Sequence, residues 1–153
     1  QLVHAVRIEV PRDLRVVVFV PNYPVLTERA RAILPQHIPR ADAIYNAGRT
    51  ALWIAALYER RWDWLDLATR DRLHQPYRVK LVRGMNELCH AARAAGARGV
   101  ALSGAGPSII AFTDHADDEI ARALERAAKR AGVCGTTRIV LISKRGARVT
   151  RLK

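Results

Sequence analysis

Several residue types and motifs that mark common functions are scarce or missing in this sequence. It has two cysteines, Cys89 and Cys134, which lie far apart without a CxxC motif. Its five histidines show no metal-site spacing, and no apolar run approaches the roughly 20 residues that span a bilayer. We therefore expect no disulfide, no metal site and no membrane-spanning helix, and the thiols suit the reducing cytoplasm.

The amino terminus lacks the features of a targeting segment. The first ten residues, QLVHAVRIEV, contain no initiator methionine and no signal-peptide pattern. The 153 residues fit one domain that is long enough to bury a core, with no linker or internal repeat. We expect residues 1–153 to be one cytoplasmic domain whose sequence begins partway through a longer protein.

Motifs for catalysis are missing as well. The segment Ser-Gly-Ala-Gly-Pro-Ser at 103–108 contains no lysine and does not have the GxxxxGK[ST] spacing of a nucleotide-binding P-loop. The sequence has no GxSxG motif and no carboxylate pair suited to acid–base work or to magnesium. We therefore predict no catalytic residue within this chain.

Acidic residues and lysines are few beside arginine. The net charge is +12, and only four of the 26 basic residues are lysines. Such a field attracts nucleic acids, acidic membranes and phosphorylated ligands. The arginines are nevertheless spread along the chain with few aromatic residues between them, so we favour solvated helix faces over a nucleic-acid site. The one local concentration, interpreted as a basic tail, contains Lys144, Arg145, Arg148, Arg151 and Lys153.

A glycine-rich segment between two apolar runs is the most informative feature that is present. The runs Val100–Leu102 and Ile109–Phe112 flank the segment 103–108, which predicts a strand, a tight turn and a second strand. Gly104 and Gly106 allow positive φ angles. They can either serve the turn alone or bring backbone N–H groups together as an anion-binding nest.

A helix predicted from Pro39 to about Tyr58 carries two distinct stripes. The apolar stripe of Ile44, Ala51, Ala55 and Tyr58 is predicted to be buried. The other stripe is polar and is either a solvent face or the wall of a site, with the solvent face as our interpretation. Its members are Asp42, Asn46, Arg49, Thr50 and Trp53.

The remaining pattern predicts an α+β fold. Residues 1–20 are interpreted as two strands, of which Leu14–Val20 is central because it is almost continuously apolar. Helices are expected at 83–95 and after Asp117, and a last strand at 136–142. The sum is a two-layer domain with an antiparallel or mixed sheet and helices on one face.

Four stretches together resemble one enzyme family. LSGAGPSIIAF resembles a motif of the GHMP small-molecule kinases, and the other three make the chain similar to homoserine kinases. Those three are VPNYPVLTERARAILP at 20–35, DAIYNAGRTALWIAAL at 42–57 and DRLHQPYR at 71–78, with GARV at 146–149 near the end. The resemblance covers nearly the whole chain and implies the ferredoxin-like C-terminal domain of such a kinase.

The resemblance also implies a substrate and a set of binding residues. Homoserine kinases transfer the γ-phosphoryl group of ATP to L-homoserine on the way to threonine. Arg49 and Arg78 are then expected to hold the substrate α-carboxylate, with His74 nearby in no defined role. The loop is expected to line the same cleft through Gly104, Ala105, Gly106 and Ser108.

The resemblance assigns ATP and Mg²⁺ mainly to an N-terminal half that these residues do not include. It implies a family that is commonly dimeric and predicts that this chain alone is inactive. Two other interpretations stay open from the residues: a stand-alone domain that senses an amino acid, and a basic module that binds nucleic acid.

Overall fold

The computed structural model describes residues 4–143 and 149–150. The basic tail and residues 146–148 of the GARV stretch lie outside this part of the chain. The elements in chain order are β1 (Arg15–Pro21), α1 (Thr27–Ala32), α2 (Arg40–Glu59), α3 (Leu65–Ala68), α4 (Gln75–Arg78), α5 (Met85–Ala94), β2 (Gly99–Leu102), β3 (Ile109–Thr113), α6 (Asp117–Arg130) and β4 (Gly135–Leu141). Short 3₁₀ turns at Trp62–Trp64 and Val79–Leu81 precede α3 and follow α4.

The four strands form one antiparallel sheet in the order β2-β3-β1-β4. Strand, helices, hairpin, helix and strand in this order correspond to the ferredoxin-like arrangement. The predicted α+β class, with an antiparallel sheet and helices, is therefore confirmed. β1 lies between β3 and β4, as its continuous valines predict for an inner strand.

The main core lies between the sheet and the helices α5 and α6. Alternate residues of β1, Val17 and Phe19, point into it and are almost fully buried. They meet Leu88 of α5 with Ile120 and Leu124 of α6, none of which is measurably exposed. Both helices were expected from their apolar spacing, and this packing fixes the sheet that presents the glycine-rich turn.

A second cluster lies against the opposite face of the sheet. Leu57 of α2 and Leu65 of α3 are buried there with Trp62. The Trp53 and Phe112 rings meet edge to face with centroids 4.7 Å apart. This contact attaches α2 to β3.

The apolar stripe predicted for the inside of α2 lies outside. Ile44 is 60% exposed, Tyr58 is 77% exposed and Ala51 is exposed, while Ala55 is only half-buried. The helix buries Ala56 and Leu57 instead. The solvent-face interpretation of the polar stripe was wrong for Asn46, because Asn46 pairs with the chain segment packed against α2. Of the five polar-stripe residues, Thr50 is exposed and the other four are half-buried, namely Asp42, Asn46, Arg49 and Trp53.

The first of the two strands expected within residues 1–20 is absent from the part of it that the structure describes. Residues 4–14 contain no regular element, although they alternate like a strand at Val6–Val10. Val6 is 89% exposed, whereas Ile8 and Val10 pack against the second cluster. Both edges of β1 are already paired with β3 and β4, so this segment has no place beside it.

Candidate functional site

The glycine-rich segment forms the turn that its sequence predicts. The Ser103 N–H donates to the Ser108 carbonyl over 2.9 Å, and the Gly106 N–H donates to the Ser103 carbonyl over 3.1 Å. Gly104 and Gly106 have φ angles of +61° and +86°, values that favour glycine. The Gly106–Pro107 peptide bond is cis. The turn leaves the Gly104 carbonyl available to a neighbouring side chain.

That neighbour is Arg78 at the end of α4. Its Nη1 donates to the Gly104 carbonyl over 3.0 Å, and its Nε donates to the Ala30 carbonyl over 3.3 Å. Two of the five guanidinium donors are thus committed to the protein, which orients the charge beside the loop. The structure therefore brings together Arg78 and the glycine loop, which the sequence analysis placed in one site.

A cleft of about 440 Å³ opens at this junction. It lies between α1, the segment 71–78 and the end of β2. Its walls include Thr27, Arg31, His74, Arg78, Gly104 and Ala105. Arg31 and Arg78 supply positive charge, and the cleft is large enough for a small amino acid. Such a surface suits a small anion.

Asp71, which also lines the cleft, has its carboxylate occupied by the protein. The carboxylate accepts hydrogen bonds from the Leu73, His74 and Gln75 N–H groups and from the Asn46 side-chain amide. Burial alone would raise the pKa of Asp71, but these donors outweigh it and hold the pKa below its usual value. Asp71 is therefore ionised at neutral pH.

Gln75 attaches the same segment to the sheet. Its Nε2 donates to the Thr69 carbonyl over 3.1 Å, and its Oε1 accepts from the Leu102 N–H over 3.0 Å. Leu102 is the last residue of β2, directly before the glycine-rich turn. Gln75 thus fixes the position of α4 relative to the glycine-rich turn.

Arg49 lies on the polar side of α2, one turn beyond Asn46. Its Nη1 donates weakly to the Leu67 carbonyl over 3.5 Å, and its guanidinium lies 4.5 Å from the centre of the Tyr45 ring. Its Nε is buried and has no hydrogen-bond partner among the described residues. A buried donor without a partner is uncommon in proteins. Arg49 is not among the residues that line the cleft of about 440 Å³.

The candidate site contains residues to which the sequence analysis gave no role. Asn46, Asp71 and Gln75 received no individual role there. Each lies inside one of the quoted motifs. An aspartate just before a helix often accepts hydrogen bonds from the unpaired N–H groups of the first turn, so the position of Asp71 was itself a signal. Gly106 and Ser108 lie in the turn, where their recorded contacts shape the loop itself.

Possible metal ligands are scattered in the described part of the chain. No three histidine, cysteine, aspartate or glutamate side chains lie close enough together there to hold an ion. Among the same residues, no helix is both long and apolar enough to cross a bilayer.

Known sequences resemble this chain along nearly its whole length. Homoserine kinase from Persephonella marina is 40% identical over 146 residues, which is 95% of this chain and 49% of that protein. Homoserine kinase from a Synechocystis species is 38% identical over 149 residues, covering 97% of this chain and 49% of its own. The chain thus spans about half the length of these curated relatives.

Solved structures show the same architecture. The crystal structure of homoserine kinase from Cytophaga hutchinsonii has a TM-score of 0.84 at 28% identity, over 88% of this chain and 43% of that one. Mevalonate kinase from L. major, solved with R-mevalonate, has a TM-score of 0.61 at 18% identity, over 81% of this chain and 42% of that one. The second likeness concerns the fold alone.

The family itself is identified by a match to most of the folded core. Residues 53–134 match the family described as GHMP kinases C terminal, from the second half of α2 to the start of β4. This range includes Arg78 and the whole glycine-rich turn. Because the match covers more than half of the sequence, the chain belongs to the GHMP kinases and carries their C-terminal domain.

Proposed function

We propose that this chain is the substrate-binding half of a homoserine kinase. The complete enzyme would transfer the γ-phosphoryl group of ATP to the side-chain hydroxyl of L-homoserine. A bond forms between that oxygen and the γ-phosphorus, the bond to the ADP leaving group breaks, and the hydroxyl proton is lost. The product is O-phospho-L-homoserine, a precursor of threonine.

The observation that carries this proposal is the clamp of Arg78 on the glycine-rich turn. It aims a cation into a cleft of about 440 Å³ beside Gly104 and Ala105. A guanidinium held in this way can bind the α-carboxylate of an amino acid, and a fixed carboxylate places the rest of a small substrate. The relatives that align along nearly the whole chain are named homoserine kinases.

Arg49 is proposed as the second cation for the same carboxylate. Its buried Nε lacks a partner among the described residues, and Asn46 on the same side of α2 contacts Asp71 in the cleft wall. Gly106 and Ser108 are proposed to keep the loop in shape beside the substrate, which extends toward the phosphoryl donor. Catalysis of this kind consists largely of positioning and charge stabilisation.

ATP and Mg²⁺ are proposed to bind mainly to an N-terminal half of the enzyme. The curated relatives are about twice as long as this chain, which supports a second half. This chain alone would then bind homoserine without phosphorylating it. We also propose a cytoplasmic location and a homodimer, the latter testable by light scattering of the complete enzyme.

The residue roles can be tested in the complete kinase that includes this chain. Arg78→Ala and Arg49→Ala are each expected to raise the KM for L-homoserine on the order of tenfold or more, with the KM for ATP changed little. Arg122→Ala is the matched control, because Arg122 pairs only with Glu119 on the exposed side of α6 among the described residues. An unchanged KM for homoserine in both variants would remove the carboxylate assignment.

The division of labour can be tested with the 153-residue chain itself. Calorimetric titration with L-homoserine is expected to show binding, and incubation with ATP and homoserine is expected to give no phosphohomoserine. Phosphorylation at an ordinary rate would show that the catalytic residues were wrongly located. Tight, steeply salt-dependent DNA binding without homoserine binding would favour a basic nucleic-acid module instead.

A further inference from the structure

The two arginines of the proposed carboxylate site come from separate elements. Arg49 lies in the middle of α2, and Arg78 ends the four-residue helix α4. A helix as short as α4 has little stability of its own. Two guanidiniums can hold one carboxylate only if their spacing is fixed, so other residues must join α4 to α2.

Two hydrogen bonds of the Asn46 side chain connect α2 to the segment that leads into α4. The Asn46 side-chain amide donates to Asp71 Oδ1 over 2.6 Å, and the Asn46 side-chain carbonyl accepts from the Arg72 N–H over 3.0 Å. One side chain of α2 thus binds both a side chain and the backbone of the segment 71–78. Neither bond can be kept if α2 slides or turns against this segment.

The same carboxylate sets the conformation of the segment. Asp71 Oδ1 also accepts from the Leu73 N–H, and Asp71 Oδ2 accepts from the His74 and Gln75 N–H groups. These bonds organise the entry to α4, and the Gln75 side chain then attaches α4 to Leu102. A continuous series of hydrogen bonds therefore links α2, Asp71, α4 and the glycine-rich turn.

We propose that Asp71, paired with Asn46, is a positioning residue that sets the distance between Arg49 and Arg78. The proposal rests on the proposed function, because it assigns both arginines to one substrate. Asp71 does not itself bind homoserine, since its carboxylate oxygens are occupied by protein donors. It acts through Arg78. The helix α4 sets the position of the Arg78 backbone, and the Gly104 carbonyl accepts a hydrogen bond from the Arg78 guanidinium.

Reciprocal substitution in the complete kinase isolates this role. The amide in Asp71→Asn keeps only one acceptor oxygen, so its nitrogen must face either the Asn46 amide or the His74 and Gln75 N–H groups. In Asn46→Asp two carboxylates would face each other. Each single variant is expected to raise the KM for homoserine on the order of tenfold, with kcat changed less. The double variant Asn46→Asp with Asp71→Asn restores one donor facing one acceptor, so its KM should fall back toward that of the wild type.

Asp114→Asn is the control for loss of another partly buried, hydrogen-bonded carboxylate. Asp114 pairs with Arg98 beyond the end of β3 that lies away from the glycine-rich turn. Its substitution should lower the thermal midpoint without changing the KM for homoserine. The proposal is overturned if Asp71→Asn behaves like Asp114→Asn, or if the double variant is no better than the single variants.

A measurement that needs no kinase activity separates this proposal from the proposed function. Hydrogen exchange of the Arg78 Nε–H can be followed by NMR in the 153-residue chain. Asp71→Asn is expected to speed the Arg78 exchange at least several-fold and the double variant to slow it again, whatever the substrate is. Unchanged exchange would overturn the positioning role, whereas a wild-type kinase that ignores homoserine would overturn only the proposed function.

Discussion

Substitution by alanine is expected to have opposite effects on stability at Gly106 and at Gly48. Gly106 has a φ of +86°, and a Cβ atom there would lie 3.3 Å from Val82 Cγ2. We expect Gly106→Ala to lower the free energy of unfolding by about 1–2 kcal/mol, because an L-residue is strained at positive φ. Urea denaturation at neutral pH measures the change.

Gly48→Ala serves as the matched substitution. Gly48 lies inside α2, and nothing lies within 4 Å of a Cβ atom built there. Alanine is favoured over glycine inside a helix, so this variant is expected to raise the free energy of unfolding by about 0.5–1 kcal/mol. Equal effects of the two variants would contradict the conformations assigned to both glycines.

The charge state of Asp66 provides a pH-dependent test at the residue scale. Burial would raise the pKa of Asp66, but hydrogen bonds from Arg70 and Arg93 outweigh it and lower the pKa below the usual aspartate value. A lowered pKa in the folded state stabilises the fold above the unfolded pKa of about 3.9, and this stabilisation is lost as pH falls through the folded pKa.

Asp66→Asn should therefore destabilise the protein at pH 7 but not in acid. Because the carboxylate is one-third exposed, the difference at pH 7 is expected to be no more than about 1 kcal/mol. It should shrink steadily below about pH 4. Denaturation midpoints of the two proteins across this range give the comparison, and a difference that stays constant would show that the ion pairs are not its source.

At the scale of the element, α2 is an amphipathic helix whose apolar stripe faces outward. Ile44→Ala is expected to change the free energy of unfolding by less than about 0.5 kcal/mol, because Ile44 is already largely in water. Leu57→Ala should lower it by about 2–5 kcal/mol, because Leu57 is 7% exposed and packs in the second cluster. Chemical denaturation of both variants compares the two faces, and a large effect of Ile44→Ala would restore the original assignment.

The same helix shows where sequence reasoning ends. Its start and length follow from Pro39 and from the local pattern, and the glycine hairpin follows from residues that are neighbours in sequence. Which face α2 buries depends on Asp71, 25 residues later, whose hydrogen bond with Asn46 is a long-range contact. Local periodicity carries no information about such partners, so it assigned the polar stripe to solvent.

The candidate site shows the same difference between residues that the sequence could identify and residues whose role depends on distant partners. Arg78 and the loop at Gly104 were placed together through the resemblance to homoserine kinases, and the hydrogen bond between them is consistent with that placement. Asn46 and Gln75 received no role, because a neutral amide gives no chemical signal until its partners are known. The first strand expected within residues 1–20 was wrong for a similar reason. Val6–Val10 alternates like a strand, but both edges of β1 are paired with other strands.

At the scale of the whole molecule, the two hydrophobic clusters share one sheet. Val17 and Ala111 face the main core, while Phe112, the next residue of β3, packs with the second cluster. Because successive residues of a strand point to opposite faces, loss of either cluster removes support from the same strands. The clusters should therefore unfold together.

The tryptophans make this coupling measurable, because Trp53, Trp62 and Trp64 all belong to the second cluster. Leu124→Ala removes side-chain volume from the main core, where Leu124 is fully buried, and should cost about 2–5 kcal/mol. We expect tryptophan fluorescence and far-ultraviolet circular dichroism to shift to the same lower denaturation midpoint. A fluorescence transition that stays at the wild-type midpoint, while circular dichroism shifts, would show that the two faces of the sheet fold independently.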